Sequence, residues 1–579
     1  MKARSVTSTD SPRRPRARLA TIAASVLALF LSALALWGCG GGSEATGAES
    51  GGDAGVGGAE TFSDEGGTPV KGGTIRYAHE QETPCLTGGW VQEAYLERQF
   101  ADSLVSQTKS GDIVPWLATK WTTSDDHLVW TFTIKSGVKF TDGTPLDAQA
   151  VADNFNAWLN PDTINPTVAA YIGAYFKSAE ATGPNTFVLT LSKPYAPLLS
   201  VISQGYFGIL SPQTIAQGAE AICNDPVGSG PFIVQKWTHG QNITFVRNPN
   251  YNSAPANALH DGPAYVDKIV WSFVSDPTTR WGSLTTGQSD VIYDVPATEW
   301  ASAPSQYQVQ QYITPGRPMQ ISLNTDQGVF SDIDVRKAFA YAGDREGAVA
   351  SAFQGKVPFN GNGALSPSTP MYDKSLNDTF AYDPDKAAEL LDKAGWSQTN
   401  SDGIRVKDGQ ELKVKFVYIT GSLVTPEGVT ALQNLQAQWK EAGFDVELKP
   451  VTLTQYFSGQ FSTPDSYDAT IGYWTSPTPA VMYIVWRFWD DPKEPNGNNY
   501  SFYNDQHLVD LIAKGNSSFD PKVQQESYSA AQRIVTEEQA ATVGVWVQET
   551  SLAINNDLQN VWLEASQGEP VFADAYFAK

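Results

Sequence analysis

The chain has 579 residues, 41% hydrophobic and 17% charged, with 17 Trp, 23 Tyr and 26 Phe, enough for two or three globular domains with aromatic-rich interiors. Its formal net charge is −23 and its isoelectric point about 4.6. Such a surface repels phosphate backbones and anionic lipid, so it excludes nucleic-acid binding, and any membrane attachment has to be covalent.

The N-terminus supplies a means of attachment. Six of the 39 Lys and Arg and one of the 62 Asp and Glu precede Cys39, leaving 33 against 61 from there on. The basic stretch ends at Arg18, residues 19–38 are uncharged and largely apolar, and small residues follow. That order is a secretory signal peptide over 1–38; a permanent membrane helix is the competing reading. The ending Leu36-Trp37-Gly38-Cys39 resembles the bacterial lipobox, with Trp37 as a departure at a position that is usually small. The resemblance implies cleavage before Cys39, lipidation of Cys39, and a place on the outer face of the cytoplasmic membrane. Residues 39–69 then read as the lipidated cysteine and a Gly-rich, acidic tether, reaching roughly 30 Å on average.

Beyond the tether, elements alternate. Residues 73–79 alternate as a first strand, and 93–106 carry Leu96, Phe100 and Leu104 at helical spacing. Residues 128–134 read as a strand, 146–158 as a helix started near Asp147, and 186–191 as a strand. The glycine turn at 226–231 feeds a hairpin with 243–247; a strand at 266–273 and a helix at 278–284 follow. Residues 321–324 are extended and 334–342 helical. Asp383, Pro384 and Gly395 mark both ends of a helix whose apolar stripe is Ala387, Leu390, Leu391 and Ala394. Strand 412–418, helix 429–442 and strand 444–448 form a parallel unit. The same strand–helix–strand order is read into 508–514, 523–538 and 543–547.

Catalytic signals are poor. The five histidines are scattered, no nucleophile elbow or phosphate loop occurs, and carboxylate pairs such as Asp125-Asp126 sit in polar turns. A surface hydrolase is therefore the weakest reading, and no cofactor or metal site is expected. Two cysteines remain after Cys39, Cys85 and Cys223; an even pair in an exported chain suggests a disulfide, against two unrelated buried thiols.

The segments Val114-Pro115-Trp116-Leu117-Ala118, TFTIKSGVKFTDGTPLDAQAV, PVGSGPF, SLNTDQGVFSDIDVRKAFAYAGDRE and YDPDKAAELLDKAG together resemble the family 5 extracellular solute-binding proteins, the peptide-, nickel- and oligopeptide-binding components of ABC importers. The likeness runs in order over roughly 72–570. It implies an α/β, cluster C periplasmic-binding fold: two lobes with a hinge and an extra inserted domain. The first lobe would comprise 70–95, 224–315 and 540–579, the extra domain 96–223, and the second lobe 316–539. Cys85 and Cys223 would then sit at the boundary between first lobe and extra domain. The protein would act as a monomer, pass a small solute to an ABC permease with its ATPase, and catalyse nothing.

The resemblance also implies site residues. Oligopeptide binders place an aspartate after a YDA-type strand to hold the peptide ammonium; here Pro477 occupies that place. A peptide or peptide-like solute is the first expectation, and an oligosaccharide, another organic solute or a metal chelate the alternative. Glu80 and Glu82 are candidates to replace the missing carboxylate. Trp90, Tyr473 and Trp474 are expected as aromatic cleft walls, and Asn324 as a strand-end residue beside them. Asp332, Arg336, Asp344 and Arg345 are read as capping and ion-pairing residues.

Overall fold

The computed structural model describes residues 68–578 except 88–93, 161–162, 164, 360, 422, 492–494 and 569. The expected signal peptide, Cys39, the tether and Trp90 lie outside these residues. Among the described residues no helix is long and apolar enough to cross a membrane.

The first lobe is built on a seven-stranded mixed sheet. Its centre is Thr74–His79, parallel to both Lys268–Phe273 and Val291–Tyr293. Both faces of Thr74–His79 are covered, since Ile75, Tyr77, Ala78 and His79 are all buried. The hairpin Phe232–Thr238 and Asn242–Arg247 extends one edge; Glu549–Ile554 and Gln308–Ile313 extend the other.

The second lobe holds a five-stranded sheet. Lys413–Ile419 runs parallel to Asp445–Val451 through the helix Pro426–Glu441, and parallel to Ala469–Thr475. Gly316–Leu323 pairs antiparallel with Ala469–Thr475 on one side and Thr542–Trp546 on the other. The chain thus re-enters the seven-stranded sheet only at Glu549, later than the expected 540, because Thr542–Trp546 first completes the second sheet. Two adjacent crossings join the lobes, at 314–315 and 547–548, and the Thr314 N–H donates to the Gln548 carbonyl at 2.8 Å. Gly316 opens the first crossing with φ 109°. A Cβ there would meet the Trp474 carbonyl oxygen at 2.2 Å, so only glycine fits this close approach.

The extra domain is an antiparallel sheet of Ala118–Thr123, Val129–Ile134, Thr186–Leu191 and Phe176–Gly183, with the helix Ala148–Trp158 packed against it. Asp147 caps that helix by accepting from the Ala150 N–H at 3.0 Å. Trp130, Phe132 and Ile134 alternate inward, as period two requires. The domain also bonds to the second lobe: the Tyr171 hydroxyl donates to the Thr475 carbonyl at 3.1 Å, and Asn516 Nδ2 to the Tyr175 hydroxyl at 2.9 Å.

One element differs in kind from expectation. Residues 508–514, read as a strand, lie in the helix Gln506–Ser517, capped by Asp505. Leu508, Val509 and Ile512 are buried on one face, a helical spacing that a short apolar run hides.

Cys85 and Cys223 are joined by a disulfide across 138 residues, stapling the first lobe to the extra domain. Replacing both by Ser is expected to cost about 2–4 kcal/mol. Calorimetry of the variant should show a lowered transition; an unchanged profile would mean that the bond adds nothing to folding.

Candidate functional site

The two crossings and the strand ends beside them border a narrow cleft with a cavity volume of about 40 Å³. The first lobe contributes Glu80, immediately after the central strand, with Tyr293, Asp294 and Glu549; the second contributes Phe353, Lys356, Glu427, Tyr473 and Trp546. Ligand crevices at the ends of parallel strands are the general rule for open α/β sheets.

Local sequence explains how the charged groups arrive. The helix Arg345–Phe353 ends with Gln354 at φ 51° and Gly355 at φ 82°, a left-handed pair that swings Lys356 inward. Lys356 is buried and bridges the lobes, bonding the Asp294 carboxylate and, at 2.9 Å, Glu549 Oε1. Asp294 itself has φ 58°, which aspartate tolerates better than most residues. Behind it the guanidinium of Arg280 donates to the carbonyls of Tyr293, Val274 and Ser275 and pairs with Asp294 at 3.6 Å.

Burial pulls the Lys356 ammonium down, but Asp294 and Glu549 outweigh it and hold the group charged. Burial pushes Glu80 up to about 7 despite Arg280. It pushes Glu549 up to about 7 as well, against the pull of Lys356. Among the described lining residues four carboxylates face one ammonium.

The expected site residues divide. Glu80 and Tyr473 line the cleft. Trp474 does not, because successive strand residues point to opposite faces and Tyr473 takes the cleft side. Glu82 is engaged elsewhere: its carboxylate accepts from Trp237 Nε1 at 2.8 Å and the Gly240 N–H at 2.9 Å, and lies 3.0 Å from His239 Nδ1. Asn324 is buried and donates to the carbonyls of Pro464 and Tyr467, tying a loop rather than facing the cleft. Asp332 and Asp344 cap helices. Arg336 and Arg345 donate mainly to backbone carbonyls, without a carboxylate partner among the described residues. His79 sits against Tyr77, Trp271 and Tyr293, and burial lowers its imidazole to about 3. It is neutral at physiological pH. Among the described residues no group of three His, Cys, Asp or Glu is placed to hold a metal ion.

Two α/β lobes joined by paired crossings border this cleft, and a third domain is bonded to both, the architecture of two-lobed solute-binding proteins. The chain belongs to the bacterial extracellular solute-binding proteins, family 5, whose model matches residues 112–496. It is 30% identical over 368 residues to the nickel-binding periplasmic protein of Escherichia coli K12, covering 62% of this chain and 66% of that protein. It is 25% identical over 476 residues to the glutathione-binding protein GsiB of Salmonella typhimurium, covering 82% of this chain and 88% of that one. In fold it is similar to NikA from Brucella suis in complex with Fe(III)-EDTA (TM-score 0.73, 22% identity, 87% of this chain and 100% of that). It is also similar to the oligopeptide-binding protein AppA of Bacillus subtilis in complex with a nonapeptide (TM-score 0.72, 22% identity, 88% and 100%).

Proposed function

We propose that this protein is the lipid-anchored, extracytoplasmic capture component of an ABC importer. It closes its two lobes over a peptide or peptide-like solute and delivers it to the permease and its ATPase. The observation that carries this reading is the cleft at the crossings, walled by aromatic and charged side chains from both lobes. Glu80 and Tyr473 are its ligand residues, and Cys39, lipidated after removal of 1–38, holds the chain to the membrane's outer face as a monomer. The division we adopt is 70–95 with 224–315 and the C-terminal strands for the first lobe, 96–223 for the extra domain, and the intervening chain for the second lobe.

A non-peptide organic solute or a metal chelate is the second reading, favoured by Pro477 standing where the ammonium-binding aspartate of oligopeptide binders is expected. Calorimetric titration of residues 40–579 with peptide, sugar and metal-chelate panels separates the two. Binding by short peptides at micromolar dissociation constants is expected; binding by a sugar or chelate alone would move the assignment to the second reading. Labelled palmitate should enter the intact protein and be absent from Cys39→Ser; label retained by the variant would overturn the anchor.

A further inference from the structure

The cleft holds more negative charge than its own cations can balance. Lys356 bonds Asp294 and Glu549, and Arg280 bonds three carbonyls and pairs with Asp294. Glu80 lines the cavity within the field of both cations, yet has neither a hydrogen bond nor an ion pair among the described residues. Glu549 accepts from Lys356 at Oε1, while its Oε2 is buried with no well-formed hydrogen bond, only the Gln311 amide lying near the carboxylate, and its side chain is only 3% exposed. A buried carboxylate oxygen left unsatisfied is costly, and the structure retains one at Glu549 beside the half-buried, unbonded Glu80. On the opposite wall the helix Pro426–Glu441 begins, yet its first turn carries Glu427. That acid opposes any attraction of its amino end for anions.

The apolar part of the wall agrees with the charge. Tyr293, Phe353, Tyr473 and Trp546 border the same space, and aromatic faces beside carboxylates are favourable surroundings for an ammonium or guanidinium.

We propose that the solute carries a cationic group, an ammonium or guanidinium, seated between these aromatic rings and against Glu80 and Glu549. The inference rests on the reading of this cleft as the capture site and names the charge of what it captures. It also gives Pro477 a counterpart: the carboxylate absent from the second lobe is supplied by the first.

The test is calorimetric titration of the wild type, Glu80→Gln and Glu549→Gln with shape-matched pairs of probes, one member cationic and the other neutral. These are tetra-alanine amide and N-acetyl-tetra-alanine amide, butylguanidine and butylurea, and spermidine and its fully acetylated form, with glutarate as the anion. The expected result is that each cationic probe that binds does so at least 10-fold more tightly than its neutral partner. Glu80→Gln should remove most of that difference by weakening the cationic probe far more than its neutral partner, a split that a purely structural role for Glu80 would not produce. Glu549→Gln serves as the second variant should Glu80→Gln fail to fold. Binding of a neutral or anionic probe as tight as its cationic counterpart, unaltered in both variants, would overturn the cationic assignment and leave the capture reading standing. Absence of binding by every probe, together with the sugar and chelate panels, would overturn both.

Discussion

Replacing Lys356 by Met should destabilise the protein by about 3–5 kcal/mol at pH 8, the usual consequence of removing one member of a buried ion pair. Lys356 is buried and its ammonium bonds carboxylates of the other lobe, Asp294 and Glu549. Without it two acids face each other in a cleft that already contains Glu80. The loss should be smaller at pH 5, where Glu549 takes up a proton. Adding Glu549→Gln to Lys356→Met should recover part of it. Urea unfolding at both pH values measures this; equal losses at pH 5 and 8 would show that Lys356 acts through packing rather than charge. Because the pair spans the lobes, small-angle scattering should also find the single variant more open.

Stability should fall as pH rises from about 5 to 8. Burial raises five carboxyl groups, Asp468 among them, above their usual values of 4.5 for Glu and 3.8 for Asp. Glu80 and Glu549 are raised to about 7, Glu97 to about 8 and Asp102 to about 6. Across that interval the folded chain binds more protons than the unfolded one, so stability declines with pH by up to about 1.4 kcal/mol per unit for each such proton. His79 works the other way. Its imidazole is held at about 3 instead of 6.5, so it adds stability as pH climbs from about 3 to 6.5 and is silent above. The net slope is therefore steepest between about pH 5.5 and 6, where Asp102 and the three Glu still hold their protons. Glu80→Gln should flatten it, by less than a full proton's worth because Glu80 is partly open to solvent. Thermal unfolding across pH 5–8 reads this directly; a wild-type profile that rises over that range would contradict it.

Much of the fold is legible in the sequence because its signals are local. Asp383 and Pro384 start a helix at Pro384–Lys393, and Asp147 starts another at Ala148. The glycines of PVGSGPF answer to a contact the sequence does not show: a Cβ on Gly228 would lie 2.0 Å from the Phe100 carbonyl oxygen. Glu80 is legible as a cleft residue because it ends the first strand. Lys356, Asp294 and Glu549 are not, since they come from three distant stretches and meet only where the crossings bring the sheets together. The resemblance implies both Tyr473 and Trp474 as cleft walls, whereas strand alternation puts neighbours on opposite sides and only Tyr473 lines the cleft. Residues 508–514 were expected as a strand because seven residues are too few to separate the two periodicities.

The bond between Cys85 and Cys223 encloses nearly the whole extra domain in one covalent loop. Such bonds persist in oxidising compartments and are rare in the reducing cytosol. A copy stranded inside the cell would thus keep its hinge and cleft but lack the staple between two of its three domains. In an oxidising compartment the crosslink belongs to the finished protein, and a thiol count reports whether these two domains are stapled.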